Sequence, residues 1–505
     1  MALGRTWAVT LQGVGGQLVE VEADVGRGLP GVSIVGLPDP AVVQARDRIR
    51  AAVINSGLTW PTGKVVLSLS PAAVPKRGSG FDLPLAAGAL TASGGLPAAP
   101  FDSTLLVGEL ALDGRVRQVR GVLPAVLAAR EAGLRRAIVP AENLVEARLV
   151  RGIDTAGVSS MAMLAAWSRG FGDLVAEPPT AAPVRESDDE DLADVHGQDD
   201  CRRAVEVAAA GGHAMLLRGA PGTGKTMLAR RLPGLLPDLG EQEALEATAI
   251  HSVMGRLPSG DPLLRRPPFV APHHTASIAA LVGGGSGVAS PGAVSLAHRG
   301  VLFLDECAEF SGRVLDGLRT PLEDGEVRIA RSDGISVFPA HFQLVLAAND
   351  CPCGSARPDA CSCTPDARRR YDRALTGPLR DRLDISARTL PIGSGLFLVG
   401  QEEDTAVVRQ RVSNARAAAA ERWAGCPEAA GASVNAEVPG RVLRSVTGVD
   451  RQVLRPLDRA LAHGVLSPRG VDRCLRLAWT LADLDGATVP GEPHVAEALV
   501  LRGEE

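Results

Sequence analysis

Residues 219 to 226 read GAPGTGKT, a G-x-x-x-x-G-K-T run of the kind whose backbone N–H groups wrap a chain of phosphates. Gly219, Gly222 and Gly224 let the backbone approach closely, with Ala220, Pro221 and Thr223 between them. Lys225 can reach the β- and γ-phosphates, and Thr226 can ligate Mg²⁺. Of 53 basic residues only Lys64, Lys76 and Lys225 are lysines, so a chain that otherwise uses arginine keeps lysine where a compact ammonium is wanted. A chance Gly-rich turn before a helix is the plain alternative. Farther along, VLFLDE is an apolar strand ending in Asp305 and Glu306. The first acid can hold Mg²⁺ and the second can orient an attacking water. Such a pair is a weak signal alone and a strong one beside a phosphate loop. A second apolar strand, FQLVLAAND, ends in Asn349, placed to sense a γ-phosphate. ATP and Mg²⁺ are the expected cofactors.

A different chemistry follows in CPCGSARPDACSC, where Cys351, Cys353, Cys361 and Cys363 form two C-x-C pairs. Tetrahedral Cys₄ zinc more often uses C-x₂-C, but chelation is feasible here. The loop has little apolar content and needs a staple, so structural zinc is the first reading and free thiols the second. Disulfides rank last in a reducing compartment. Cys201, Cys307, Cys426 and Cys474 are scattered and read as packing residues.

The elements that must carry these groups can be read coarsely. At 505 residues the chain exceeds one core, and 45% apolar with 22% charged residues is an ordinary globular composition. A net charge of −5 gives no global attraction to nucleic acid, so any such binding needs a local basic surface. No apolar run reaches membrane-spanning length and the N-terminus lacks a signal-peptide pattern, so a cytoplasmic protein without membrane contact is expected. The Pro- and Ala-rich, then acidic, stretch 176–194 reads as a linker. Before it, KVVLSLS, TLLVGELAL and RAIVP alternate with helical patterns at PAVVQARDRIRAAVINSG and LPAVLAAREAG. After it, Leu216–Leu217 and VLFLDE look like buried parallel strands, and from about residue 400 the pattern turns helical. The expected architecture is α/β throughout: an α+β domain at 1–175, an ATPase core with a parallel sheet at 195–395, and a helical lid at 396–505.

With these residues in hand, the chain resembles the AAA+ ATPases, and within them the magnesium-chelatase-like branch known as the ComM or YifB family. The resemblance rests on RPPFVAPHHTASIAALVGGGS, PGAVSLAHRGVLFLDE, LEDGEVRIARSDG, ANDCPCG and GPLRDRLD, and on GLPGVSIVGLPDPAV and GSGFDLPLAAGAL near the front. It covers essentially the whole chain. It implies a homo-hexameric ring with ATP between subunits. By that resemblance Arg382 looks like the arginine finger offered to a neighbour's γ-phosphate, and Arg469 like the second sensor from the lid. Surface ion pairing is the plain alternative for both. Gln198, in VHGQ, falls where such ATPases enclose the adenine, or is simply an exposed polar residue.

Two insertions bear on what hydrolysis does. One carries His273, His274 and VGGGSG; adjacent histidines on a strand would point to opposite faces, so a loop role is favoured over a metal pair. The other, EVRIARSDGISVF, is a hairpin with Ser332-Asp333-Gly334 at its turn and Arg328 and Arg331 toward its tip. In related ring helicases a hairpin here grips nucleic acid in the pore, and the alternative is a solvated hairpin face. The front domain resembles the proteolytic domain of Lon-type proteases. Aligned on PKRGSG, the serine position is Gly80, Ser79 falls one residue early, and Leu123 stands where the lysine base belongs, so no protease activity is expected. A Lys76–Ser79 dyad is the minor alternative. The resemblance implies an ATP-driven motor on branched or single-stranded DNA, a helicase promoting branch migration in recombination or transformation. A chelatase-like ATPase that remodels a protein partner is the rival.

Overall fold

Along Gly4–Gln12 burial alternates residue by residue, with Thr6, Ala8 and Thr10 turned inward, as a strand with one covered face requires. In the computed structural model this strand lies in a seven-stranded mixed sheet. The order is Gly31–Val35, Lys64–Ser70, Gly15–Gly26, Gly4–Gln12, Thr104–Leu106, Arg136–Pro140, Asp154–Val158. The structure describes residues 3–177, 190–258, 260–285, 289–331, 334–355, 361–376, 379–391, 402–429, 431–445 and 448–503. Helices Pro40–Asn55, Asp82–Ala92 and Met161–Ser168 build a core on one face of the front sheet, around Val21, Ile49, Leu67 and Leu85. Helix Val122–Glu131 covers the other face.

The second sheet is parallel throughout, ordered Phe269–Val270, Val301–Leu304, Gln343–Ala348, Met215–Arg218, Ile385–Arg388. All four residues of Val301–Leu304 and all six of Gln343–Ala348 are buried, the continuous apolar pattern of strands covered on both faces. Every strand runs the same way, so the carboxyl ends of all five meet at one edge. Open α/β sheets bind their ligands at that edge.

The C-terminal helices Thr405–Ala424, Arg451–Ala462, Pro468–Leu484 and Glu492–Arg502 share one apolar core with helices Asp199–Gly211 and Lys225–Leu235, which flank the parallel sheet. A buried polar cluster pins the junction. Asp384 accepts from His213 Nδ1 at 3.3 Å and from Arg473, while His213 Nε2 lies 2.8 Å from Thr480 Oγ1. Burial alone would raise the Asp384 carboxyl, but the His213 hydrogen bond and the Arg473 charge hold it well below the usual carboxylate range.

The front domain meets the core through helix Glu241–Met254, whose Leu245 and Ala249 enter the apolar cluster behind the front sheet. Gly121 N donates to Ser252 O at 3.1 Å, and the buried Glu146 accepts from Leu123 N at 2.8 Å, from Asn143 and from Ser252 Oγ. The stretch expected to be a linker over 176–194 is shorter than that. Leu192 is 1% exposed in the apolar core beside the parallel sheet, Asp191 accepts from Thr405 N at 2.8 Å, and Arg231 pairs with Glu190 and Asp194. Its acidic composition serves these caps and pairs at 190–194; residues 178–189 lie outside the described residues. No helix among the described residues is long and apolar enough to cross a membrane.

Candidate functional site

The phosphate loop leaves the strand Met215–Arg218 and turns into helix Lys225–Leu235. Gly222 and Gly224 take φ of +76° and +95°, values that a side chain would strain. Gly219 is required for another reason: a Cβ there would sit 2.2 Å from Thr389 Oγ1 at the end of the neighbouring strand. Thr223 Oγ1 and Thr389 Oγ1 are 2.6 Å apart, closing the loop onto that strand. Lys225 Nζ donates to Gly219 O at 2.7 Å, to Ala220 O at 2.8 Å and to Asn349 Oδ1 at 3.1 Å. Burial lowers the Lys225 ammonium, opposed by the charges of Asp305, Asp350 and Glu306. Thr226 Oγ1 donates to Asp305 Oδ2 at 2.8 Å, so the two expected Mg²⁺ ligands are already adjacent.

Glu306 follows Asp305 with φ of +50°, in the left-handed region that a glutamate rarely takes. Its N–H donates to Asp305 Oδ1 at 2.9 Å, and its carboxylate lies 3.2 Å from His274 Nδ1. His274 is an addition to the expected site. It sits in a turn rather than a strand, its ring 4.2 Å from that of His273, so the two histidines do not face apart as strand geometry would have placed them. A cleft beside it is lined by His274, Thr275, Ser277, Glu309, Ser311 and Arg313.

Asn349 is fixed from behind. Its N–H donates to Tyr371 Oη at 3.0 Å, and burial pushes this phenol, the chain's only tyrosine, up to about 12. Asp350 pairs with Arg218 at 3.5 Å and Arg388 at 3.3 Å, so it serves the strand ends. Nothing in the local sequence marks Tyr371, Arg218 or Arg388; only the strand order brings them here.

Gln198 is 5% exposed, which removes the reading of an exposed polar residue. Its amide donates to Leu390 O at 2.6 Å and accepts from Leu390 N at 3.2 Å, clasping the backbone beyond the last core strand. Arg382 pairs with Glu323 of the same chain. Arg469 is exposed on the first turn of Pro468–Leu484. Two C-terminal arginines touch the core here: Arg473, one turn later, on Asp384 and on the carbonyl of Asp381 beside Arg382, and Arg502, on Leu383 O at 2.8 Å.

The hairpin forms as expected, Glu326–Arg331 against Gly334–Pro339, with Ser332 and Asp333 of its turn outside the described residues. Its two arginines do not share a face. Side chains on a strand alternate, so residues three apart point opposite ways. Arg328 stands on the exposed face beside Glu326, while Arg331 turns to the other face and donates to Gly285 O. The front domain braces the hairpin: Gln12 Nε2 donates to Ile335 O at 3.0 Å, and a Cβ on Gly13 would come within 2.3 Å of Val337 O.

In the Lon-like half, Lys76 is fully buried and donates to Pro71 O rather than to Ser79. Leu123 is fully buried with its N–H on Glu146. The cysteines Cys351, Cys353, Cys361 and Cys363 are free, with sulfurs all within 4.8 Å of one another. Among the described residues this is the one group of three or more His, Cys, Asp or Glu side chains whose ligand atoms the fold draws together.

Three family models cover most of the chain: "Subunit ChlI of Mg-chelatase" at residues 21–143, "Magnesium chelatase, subunit ChlI" at 191–394, and "Magnesium chelatase, subunit ChlI C-terminal" at 402–502. An uncharacterized protein of Mycobacterium tuberculosis (strain H37Rv) is 56% identical over 99% of both chains. The uncharacterized protein YifB of Escherichia coli K12 is 40% identical over 97% of this chain and 95% of its own. Competence protein ComM of Haemophilus influenzae is 39% identical over 99% of this chain and 98% of its own. A shorter match, 28% identical over 154 residues, joins 29% of the chain to 18% of the Lon protease of Chloroflexus aurantiacus. Full-length likeness at this level, on a parallel-sheet core behind a Lon-like domain, places the chain in the ComM/YifB family of magnesium-chelatase-like AAA+ proteins.

Proposed function

We propose that this protein is an ATP-hydrolysing motor that works on DNA as a ring of identical subunits, promoting branch migration in recombination or in the uptake of transforming DNA. The observation that carries the ATPase reading is the convergence of Lys225, Thr226, Asp305, Glu306 and Asn349 at the carboxyl edge of one parallel sheet. Lys225 and the loop N–H groups would hold the phosphates of ATP. Thr226 and Asp305 would hold Mg²⁺, which would supply positive charge to offset that of the phosphates. Glu306 would orient the attacking water, and Asn349 would report the γ-phosphate to Lys225. Arg382 would reach a neighbour's nucleotide after leaving Glu323, and Arg469 would approach the nucleotide from the lid.

Arg328, exposed on a hairpin that the front domain holds out, supports DNA as the partner. The related ComM of Haemophilus influenzae is a competence protein, which points the same way. The chelatase names of the family models support the rival, a motor that remodels a protein partner. Arg328→Ala separates the two, because Arg331 also holds Gly285 and is a poorer probe. Basal hydrolysis should stay within about two-fold, while DNA stimulation and strand displacement fall together. The salt slope of DNA binding should become shallower by roughly one for each phosphate that a subunit no longer neutralises. If the unaltered ring, loaded with ATP at low salt, neither binds DNA nor turns over faster with it, the protein-remodelling reading replaces this one.

A further inference from the structure

The segment between the sensor strand and helix Pro365–Thr376 is held at both ends by the nucleotide site, and its four cysteines sit between those anchors. At the strand end, Gly354 is so close to the phosphate loop that a Cβ would lie 2.8 Å from Pro221 Cγ. At the helix end, Tyr371 Oη accepts from Asn349 N at 3.0 Å and Asp372 accepts from Arg218 at 2.8 Å. Thr364 caps the helix by accepting from Ala367 N at 3.2 Å, directly after Cys363.

Among the described residues of this segment only Cys351 is buried, so little apolar contact holds its ends together. Cys351 is buried, Cys361 and Cys363 are half-buried, and Cys353 is exposed. Yet Cys351 Sγ lies 3.3 Å from Cys353 Sγ and 3.5 Å from Cys361 Sγ, and Cys353 Sγ is 3.5 Å from Cys361 Sγ. These separations are far beyond a disulfide bond. They are close to the roughly 3.8 Å edge of a tetrahedron built on Zn–S bonds of about 2.3 Å. Four thiols with sulfurs all within 4.8 Å of one another match a closed four-coordinate site. Arg368, one turn into the helix, donates to Cys361 and would offset part of the negative charge of a Zn(Cys)₄ centre.

We propose that Cys351, Cys353, Cys361 and Cys363 bind one zinc ion as thiolates, and that the ion positions the nucleotide site by tying the Asn349 strand end to the helix that carries Tyr371. The metal is structural: all four positions are filled by protein, and none is open to substrate or water. It is also coupled to ATP, because Asn349 shares a hydrogen bond with Lys225. Removing the ion leaves Tyr371 and Gly354 without a common anchor, so the Asn349 side of the phosphate loop loosens. The coupling concerns nucleotide affinity and holds whether the motor's track is DNA or protein.

The test uses the full chain purified under reducing, zinc-replete conditions. Zinc should approach one per chain, and Co²⁺ put in its place should give the intense thiolate-to-metal and d–d bands of a tetrahedral sulfur site. Cys353, although exposed, should resist alkylation until a chelator is added, as mapped by mass spectrometry. Cys361→Ser/Cys363→Ser should lower zinc to under about a tenth of an ion per chain. It should also weaken ATP binding several-fold, while the melting of the front domain is unchanged. Tyr371→Phe separates the two halves of the proposal, because it should keep the zinc and still weaken ATP binding. Immediate alkylation of Cys353 in zinc-replete protein overturns the metal site. Full ATP affinity in both the metal-free protein and Tyr371→Phe overturns the coupling. The alkylation arm needs no variant, so it decides the metal site even if the double variant fails to fold.

Discussion

Two of the three lysines are buried in the same way and do different things. Lys76 in the front domain and Lys225 in the ATPase core each donate to backbone carbonyls, and burial lowers the ammonium of each. The difference lies in what surrounds them. Lys225 feels three carboxylates, from Asp305, Asp350 and Glu306, and shares a hydrogen bond with Asn349, so an ATP–Mg²⁺ complex would meet charges of both signs already in position. For Lys76 the lowering comes from burial. The serine position beside it is Gly80, and the position of the lysine base holds Leu123, fully buried. A buried ammonium makes a site only where something is arranged to answer it. In one half of this chain the partners are kept, and in the other the lysine has become a strut.

The most severe way to break that contrast is to remove each ammonium. Lys225→Ala should lower turnover by roughly 10²–10³-fold, the size of effect seen when a single group that stabilises transition-state charge is deleted. It should also weaken ATP binding. Glu306→Gln should stop turnover while keeping ATP bound, because it removes only the water-orienting carboxylate. Lys76→Met should hydrolyse ATP at the unaltered rate. Equal loss of nucleotide affinity in Lys225→Ala and Glu306→Gln would refute the division of labour.

The glycines sharpen the comparison at a smaller scale. Gly219→Ala would drive a methyl into Thr389 Oγ1 and the Thr389 carbonyl, at 2.2 and 2.5 Å. Overpacking of this kind costs about 1–3 kcal/mol, so ATP affinity should fall by roughly 10–100-fold. A Cβ at Gly80 would meet only Val107 Cγ1, at an ordinary 3.6 Å. Gly80→Ser should therefore fold normally and remain without peptidase activity, because Lys76 is committed to Pro71 and Leu123 supplies no base. Peptide cleavage by this variant would mean that the front domain is one residue from being an enzyme.

A third measurement asks whether the ATP site is complete within one subunit. Arg382 is paired with Glu323 of its own chain, so the proposed service to a neighbour would require that pair to open. Rings mixed from Arg382→Ala and Lys225→Ala subunits contain some interfaces with an intact pocket and an intact finger. Hydrolysis should return to a fraction of the unaltered rate. A mixture as inactive as its parents, with subunit exchange demonstrated, would place the finger elsewhere.

The contrast also explains what can be read from the sequence. The phosphate loop, the strand-end acids, Asn349 and the hairpin are local patterns, and each strand or helix they require forms where apolar periodicity puts it. The departures from the Lon-type pattern at Gly80 and Leu123 are local too. Tyr371, His274 and Arg473 are not legible, because each reaches the site only through the parallel strand order or the lid's shared core. Arg328 and Arg331 read as a pair in the sequence although they are three residues apart on a strand and so face opposite ways. The linker reads too long because its last acids, acting as caps and ion-pair partners at 190–194, have the composition of a solvated loop.

The smallest expected effect concerns the strut itself. Burial depresses the Lys76 ammonium below its ordinary value of 10.5. At pH values under that depressed value, the folded and unfolded chains both carry the proton, and the full penalty for burying the charge opposes folding. Between the depressed value and 10.5 the unfolded chain holds more protons than the folded one, so the Lys76 contribution to stability improves as pH rises through this window. Lys76→Met keeps most of the side-chain volume and removes the charge, at the expense of the hydrogen bond to Pro71 O, worth about 1 kcal/mol. The variant should therefore melt close to the unaltered protein at neutral pH. Its front-domain transition should then fall behind as pH climbs toward about 10, because only the unaltered chain gains stability there. Calorimetric scans of both full-length proteins at several pH values read the gap directly. A gap that stays constant across that range would mean that Lys76 keeps an ordinary ammonium, and that the two buried lysines are less alike than their shared carbonyl bonds suggest.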